Sequence, residues 1–258
     1  MSVTRGKFLK ALGKSIPGVV LRGGVATAAK TLLDKVAAAS GSPPVSAPAP
    51  GEPGEAAKVD FITSGPTDGN RIALTFDDGP TPGVTELILD ELKRHKLHAT
   101  FFMIGQRIAV ALDLARRVLA EGHEIGNHTF THPKLTTLAD PQVKDEIHKT
   151  RDIMDGMLNY RAAWFRPPYG AFHPNQTHFL KKAGLRPRPV LWSVDPRDWS
   201  QPGEAKIVAA VLAETKPGSI VICHDLYPQT ANGLGPILEG LRERGFSPGT
   251  LSTLLNSA

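Results

Sequence analysis

Beyond Arg71 the chain alternates short apolar runs with longer stretches whose apolar residues recur every three to four positions. The runs are residues 72–76, 99–104, 124–126, 162–165, 190–194 and 219–223. Helical spacing occupies 85–95, 108–121, 141–158, 174–183, 205–215 and 234–244. Thr85-x-x-Ile88 and Leu89-x-x-Leu92 show the period within the first of these. Gly122, Gly184, Gly218 and Gly245 follow directly or closely on a helical stretch, as expected where a helix ends in a left-handed residue. Strands alternating with helices predict an α/β fold on a parallel sheet, open or closed into a barrel. The pattern is missing from residues 40–58, where five prolines and three glycines stand among Ser, Ala and Glu. That stretch reads as a linker, so the folded domain is expected to start between Val59 and Arg71.

Composition refines this picture. The chain has 258 residues, 41% of them hydrophobic, enough for one large core in a single catalytic domain over 59–258. The formal charge of +5 resides entirely in residues 1–58, with 8 Lys/Arg against 3 Asp/Glu; residues 59–258 hold 22 of each. A balanced domain argues against nucleic acid as a partner. The one cysteine, Cys223, excludes an intrachain disulfide and a cysteine-based zinc cluster. There is no internal repeat and no apolar run long enough to span a bilayer.

Residues 1–39 are basic and rich in alanine and glycine. Thr4-Arg5-Gly6-Lys7-Phe8-Leu9-Lys10 resembles a twin-arginine export signal with Gly6 in place of the second arginine. The apolar stretch behind it is interrupted by Lys14, Arg22 and Lys30, and Ala37-Ala38-Ala39 offers small residues suited to cleavage. The competing reading is a basic amphipathic segment lying on an anionic membrane surface. Export or envelope attachment is favoured over a plain cytoplasmic tail.

The reactive side chains fall at the ends of the apolar runs. Asp77 and Asp78 close the first run; His128, Arg166, Asp195 with Asp198, and His224 each sit just after a later one. In parallel α/β folds the carboxyl ends of the strands form the active face. On a strand, alternating side chains send Asp77 and Asp78 different ways, so one can bind a cation while the other handles a proton. His128-Thr129-Phe130-Thr131-His132 places two imidazoles four residues apart, neighbours on one helical turn that ends before Pro133. With Asp78 they make a two-histidine, one-aspartate ligand set with open positions, the pattern of a catalytic metal. Those donors suit Zn²⁺ first, with Co²⁺, Mn²⁺, Fe²⁺ or Ni²⁺ close behind.

In Arg166-Pro167-Pro168-Tyr169-Gly170 the prolines stiffen the backbone, so the Tyr169 amide can serve as an oxyanion donor. Arg166 becomes a fixed cation facing the acidic pair. His224 titrates near neutrality, and a buried carboxylate beside it, with Asp198 the candidate, would raise its pKa. Trp199 and Ile222 are expected to form an apolar wall. The remaining histidines, His123 among them, read as surface residues.

Together these segments resemble the five motifs of the polysaccharide deacetylase family, the NodB homology domain of carbohydrate esterase family 4. They occur in order: Thr-Phe-Asp-Asp-Gly at 75–79, His-Thr-x-x-His at 128–132, Arg-Pro-Pro-Tyr-Gly at 166–170, Asp-x-x-Asp-Trp at 195–199 and Ile-Cys-His at 222–224. The last departs mildly from the usual Leu-x-His. The resemblance spans about residues 70 to 258 and says nothing of residues 1–58. It implies a distorted (β/α) barrel, usually of seven strands, and metal-dependent removal of acetyl groups from the sugars of a polysaccharide. By matched position it implies Asp77 as catalytic base and Asp78, His128 and His132 as metal ligands. It implies His224 as catalytic acid, Arg166 orienting Asp77, and Asp198 tuning His224. Tyr169, Trp199 and Ile222 would contact the acetyl group. The expected partner is an acetylated glycan such as peptidoglycan, chitin or an exopolysaccharide, acted on by a monomer. A small-molecule amide hydrolase is the alternative.

Overall fold

A computed structural model describes residues 59–255, so the expectations for the export-like segment and the linker lie outside the described residues. Strand β1 (Arg71–Asp77) leads to helix α1 (Thr85–Arg94), then β2 (Thr100–Met103), α2 (Gly105–Val110) and α3 (Leu112–Ala120). β3 (Glu124–Asn127) and α4 (Asp140–Ile153) follow, and a π-helical turn (Met154–Leu158) extends α4. The second half contains α5 (Thr177–Lys182), α6 (Glu204–Glu214), β4 (Ile220–His224), α7 (Pro228–Glu243), β5 (Ser247–Gly249) and α8 (Leu251–Leu255).

The sheet runs in the order β3-β2-β1-β4 with every pairing parallel, and β5 joins the start of β1. β1 is central because Ile72–Asp77 are buried throughout, as a strand covered on both faces requires. Its register fixes the active rim, since Asp77 pairs with Phe102 on one side and with His224 on the other.

The runs at 162–165 and 190–194 are not full strands but touch the sheet through single bridges, Asn127↔Phe165 and Val194↔Val221. The Val190 N–H donates to the Phe165 carbonyl at 2.9 Å, which links the two runs and closes the sheet into a ring. The α/β barrel is therefore distorted: five strands are hydrogen-bonded, and the expected number of seven is approached only by counting these bridged segments.

Two elements had no signal in the periodicity. β5 contains Pro248 and Gly249, and α8 is five residues long, too short to show a period. Leu251 and Leu254 of α8 nevertheless pack with Ala73, Phe102, Trp164 and Ile220 in the core. A second cluster joins Val143 and Ile147 of α4 to Phe165, Phe172, Phe179 and Leu180. These contacts support the run that delivers Arg166. His123 is a correction to the reading of surface histidines: it is 5% exposed, and its Nδ1 accepts the Ala99 N–H at 3.1 Å.

Candidate active site

All ten candidate side chains named above lie around the carboxyl ends of the strands. Asp77, Asp78, His128, His132, Tyr169, Trp199, Ile222 and His224 line one cavity of about 760 Å³, with Arg166 and Asp198 buried behind it.

Asp77 and Asp78 separate as expected, with an added cause. Asp78 adopts φ +78°, a left-handed conformation at a non-glycine residue, and its N–H donates to the Phe102 carbonyl at 3.1 Å. Asp77 Oδ1 receives Arg166 Nη1 at 2.6 Å. The same Nη1 donates to Thr75 Oγ1 at 2.8 Å, and Nη2 donates to the Leu191 carbonyl at 2.9 Å. The guanidinium, 0% exposed, lies over the Phe102 ring at 4.2 Å. Burial pulls the Arg166 pKa below its ordinary value while the Asp77 charge opposes the shift.

His128 and His132 do not share a helical turn. Thr129 and His132 have φ of +67° and +64°, so the segment is a loop rather than an α-turn. Glu146 of α4 shapes it, accepting the N–H groups of Phe130 and Thr131 and the Thr131 hydroxyl at 2.7–2.9 Å. The imidazoles still converge, with ring centroids 4.9 Å apart.

His128 Nδ1 lies 2.7 Å from the Arg166 carbonyl, which can only accept. Nδ1 therefore carries the proton, and the neutral ring offers its Nε2 lone pair to the cavity. His128 Nε2 is 3.4 Å and His132 Nε2 3.1 Å from Asp78 Oδ1, a buried oxygen that no hydrogen bond satisfies. One donor atom from each of the three residues falls within 4.8 Å of the others. Three acceptors around one point suit a divalent cation in place of protons. Burial pushes the Asp78 pKa up, but the adjacent His128 and His132 imidazoles outweigh it and hold the carboxyl well below the usual range. Burial likewise pulls His128 down, yet Asp77 and Asp78 leave it raised. The negative potential that would protonate this ring would also attract a metal ion.

On the opposite wall Asp198, 0% exposed, accepts His224 Nδ1 at 2.7 Å, the His224 N–H at 2.7 Å and the Thr230 hydroxyl at 2.7 Å. Burial lowers the His224 pKa, but the Asp198 hydrogen bond and the charges of Asp198, Asp77 and Asp78 carry it to about 9. The ring therefore holds a proton at neutral pH. The Asp195/Asp198 pair divides its work: Asp195 Oδ1 caps its own loop by accepting the Arg197 N–H at 2.8 Å.

Tyr169 stands in the left-handed region at φ +59°, behind Pro167 and Pro168, with its ring 4.9 Å from that of His132. Trp199 is 52% exposed at the cavity rim, whereas Ile222 is 3% exposed in its wall. Thr75, Glu146, Thr230 and Asp225 escaped the motif reading as individual residues. Thr75 lies inside the first motif and Asp225 adjoins the last; Glu146 and Thr230 carry no local signal.

A polysaccharide deacetylase family model matches residues 64–187. The chitooligosaccharide deacetylase of Rhizobium leguminosarum bv. trifolii is 43% identical over 204 residues, which cover 74% of this chain and 94% of that protein. The peptidoglycan-N-acetylmuramic acid deacetylase PdaC of Bacillus subtilis (strain 168) is 38% identical over 183 residues, 71% of this chain but 38% of that protein. Among solved structures, the Bc1960 peptidoglycan N-acetylglucosamine deacetylase in complex with a hydroxamate-type benzamide superposes with a TM-score of 0.72 at 33% identity. It covers 78% of this chain and 94% of that one. A relative matched over nearly its whole length, together with the fold, settles the assignment: the chain belongs to the polysaccharide deacetylase family.

Proposed function

We propose that the protein is a metal-dependent hydrolase that removes N-acetyl groups from N-acetylglucosamine-type sugars of a glycan chain. One observation carries this reading. The unsatisfied Asp78 Oδ1 faces the Nε2 atoms of His128 and His132, with the Asp77–Arg166 and His224–Asp198 pairs bordering the same cavity. Asp78, His128 and His132 hold one divalent cation, with Zn²⁺ first by donor chemistry. Such a cation acts as a Lewis acid and makes water nucleophilic near neutral pH.

The chain's own residues do the rest. Asp77, oriented by Arg166, takes the proton of the water that adds to the acetyl carbonyl carbon. The Tyr169 N–H, behind its two prolines, donates to the oxyanion, a contact of a kind worth about 2.7–4 kcal/mol. The carbon–nitrogen bond then breaks, and His224 delivers its proton to the departing sugar nitrogen. Proton transfers of this type contribute about 10²–10⁴ in rate. Ile222 and Trp199 hold the methyl group. Acetate and a free amino sugar leave.

Short N-acetylglucosamine oligomers are placed first among substrates, because the chitooligosaccharide deacetylase is matched nearly end to end. Peptidoglycan glycan comes second, from the relatives named for it. Residues 59–258 form the catalytic domain, acting as a monomer since one chain supplies every site residue. Residues 40–58 are a linker, and residues 1–39 direct the enzyme to the envelope or beyond it. The test is acetate release by the full chain at saturating zinc from chitin oligomers, peptidoglycan fragments and small acetamides. Release from the glycans is expected. No release from any glycan, or equal release from the small amides, overturns the proposal.

A further inference from the structure

Asp225 follows His224 at the end of β4 and has no part in the chemistry above, yet it is 0% exposed. Its Oδ2 accepts the Thr85 hydroxyl at 2.6 Å, and Thr85 Oγ1 accepts the Thr81 N–H at 2.8 Å. Its own N–H donates to the Asp77 carbonyl at 3.1 Å. Gly79 passes so close that a Cβ there would lie 1.9 Å from Oδ2. Asp225 Oδ1 has no partner among the described residues. A buried carboxylate with no ion-pair partner among the described residues is costly, and a spacer filling the same volume could be apolar.

The cost has a beneficiary in Asp78. Its left-handed backbone is a conformation that persists only where the surroundings hold it. Asp225 grips both neighbours, Asp77 through the main chain and Gly79 through the carboxylate, and reaches the start of α1 through Thr85. We infer that Asp225 is a positioning residue whose carboxylate braces the Asp77-Asp78-Gly79 loop, so that Asp78 meets His128 and His132 at one point. This rests on the reading of Asp78 as a cation ligand.

The experiment measures zinc affinity of the full chain by competition with a chromophoric chelator, and kcat and KM on a chitin oligomer. Asp225→Ala is expected to weaken zinc binding about 10- to 100-fold, the range for an outer-shell support, and to lower kcat with KM within about threefold. Asp225→Asn keeps an acceptor for Thr85 and is expected to stay within about threefold of wild type in all three quantities. Thr85→Val, which preserves shape, loses zinc affinity in the same direction and covers the case of an alanine variant that does not fold. Wild-type zinc affinity in a folded Asp225→Ala or Thr85→Val protein overturns the inference. Equal losses in the alanine and asparagine variants also overturn it, because they would assign the effect to charge rather than bracing. A wild-type chain that binds no zinc sinks the underlying reading instead.

Discussion

Arg166 gives Nη1 to Asp77 and Thr75 and Nη2 to a main-chain carbonyl, so the orientation of Asp77 is fixed before any substrate arrives. If Asp77 is the base, Asp77→Asn keeps the shape and removes the proton acceptor. Turnover is expected to fall about 10²–10⁴ while zinc content by elemental analysis is unchanged; near-wild-type turnover would remove Asp77 from the mechanism. His128→Ala is expected to do the reverse and lose the metal, and a full zinc complement in that variant would reject the ligand assignment. The acid is tested by pH. His224 is raised from an ordinary 6.5 to about 9 in the folded state, so its stabilising contribution is complete below 6.5 and disappears as pH rises through about 9. The proton it donates is lost over the same range. Because Asp77 and Asp78 contribute to the upward shift, a bound cation should bring the basic limb of kcat/KM below 9. Asp198→Asn should move that limb further down, and an unmoved limb would show that another group sets it.

At the level of elements, four of the five described strands and most helices were readable because burial on both faces of a parallel sheet writes apolar runs, and a half-buried helix writes a period near 3.6. β1, β3, α1 and α6 fall within two residues of their expected bounds. α7 begins at Pro228, earlier than its apolar period suggests, because its first turns are polar but still bury Thr230. The His128–His132 loop departs from the expected helical turn because spacing by four is compatible with a helix but does not require one. Its shape is imposed from outside by Glu146. Glu146→Ala strips the acceptor from two N–H groups and one hydroxyl. Zinc affinity is expected to fall about tenfold or more while α4 remains folded, as judged by circular dichroism and chelator competition. Unchanged affinity would mean that the loop holds its own form.

On the scale of the whole molecule, the ring closes with two of its staves reduced to single bridges, and the site is assembled from six separate stretches of chain. Acetate release by residues 59–258 alone should match that of the full chain, while binding to anionic vesicles should require residues 1–58. Loss of turnover on truncation would show that the basic segment belongs to the enzyme proper. By itself the sequence determined the α/β alternation and the placement of the reactive clusters just after the apolar runs. These are local properties, carried by apolar period and by residues adjacent in the chain. Only the tertiary structure decided that Asp78 Oδ1 is left without a partner, that His128 turns its Nε2 inward, and that Asp225 lies beneath the loop. Each of these depends on contacts between residues 38 to 148 positions apart or on backbone geometry held by such contacts, and no local pattern encodes them.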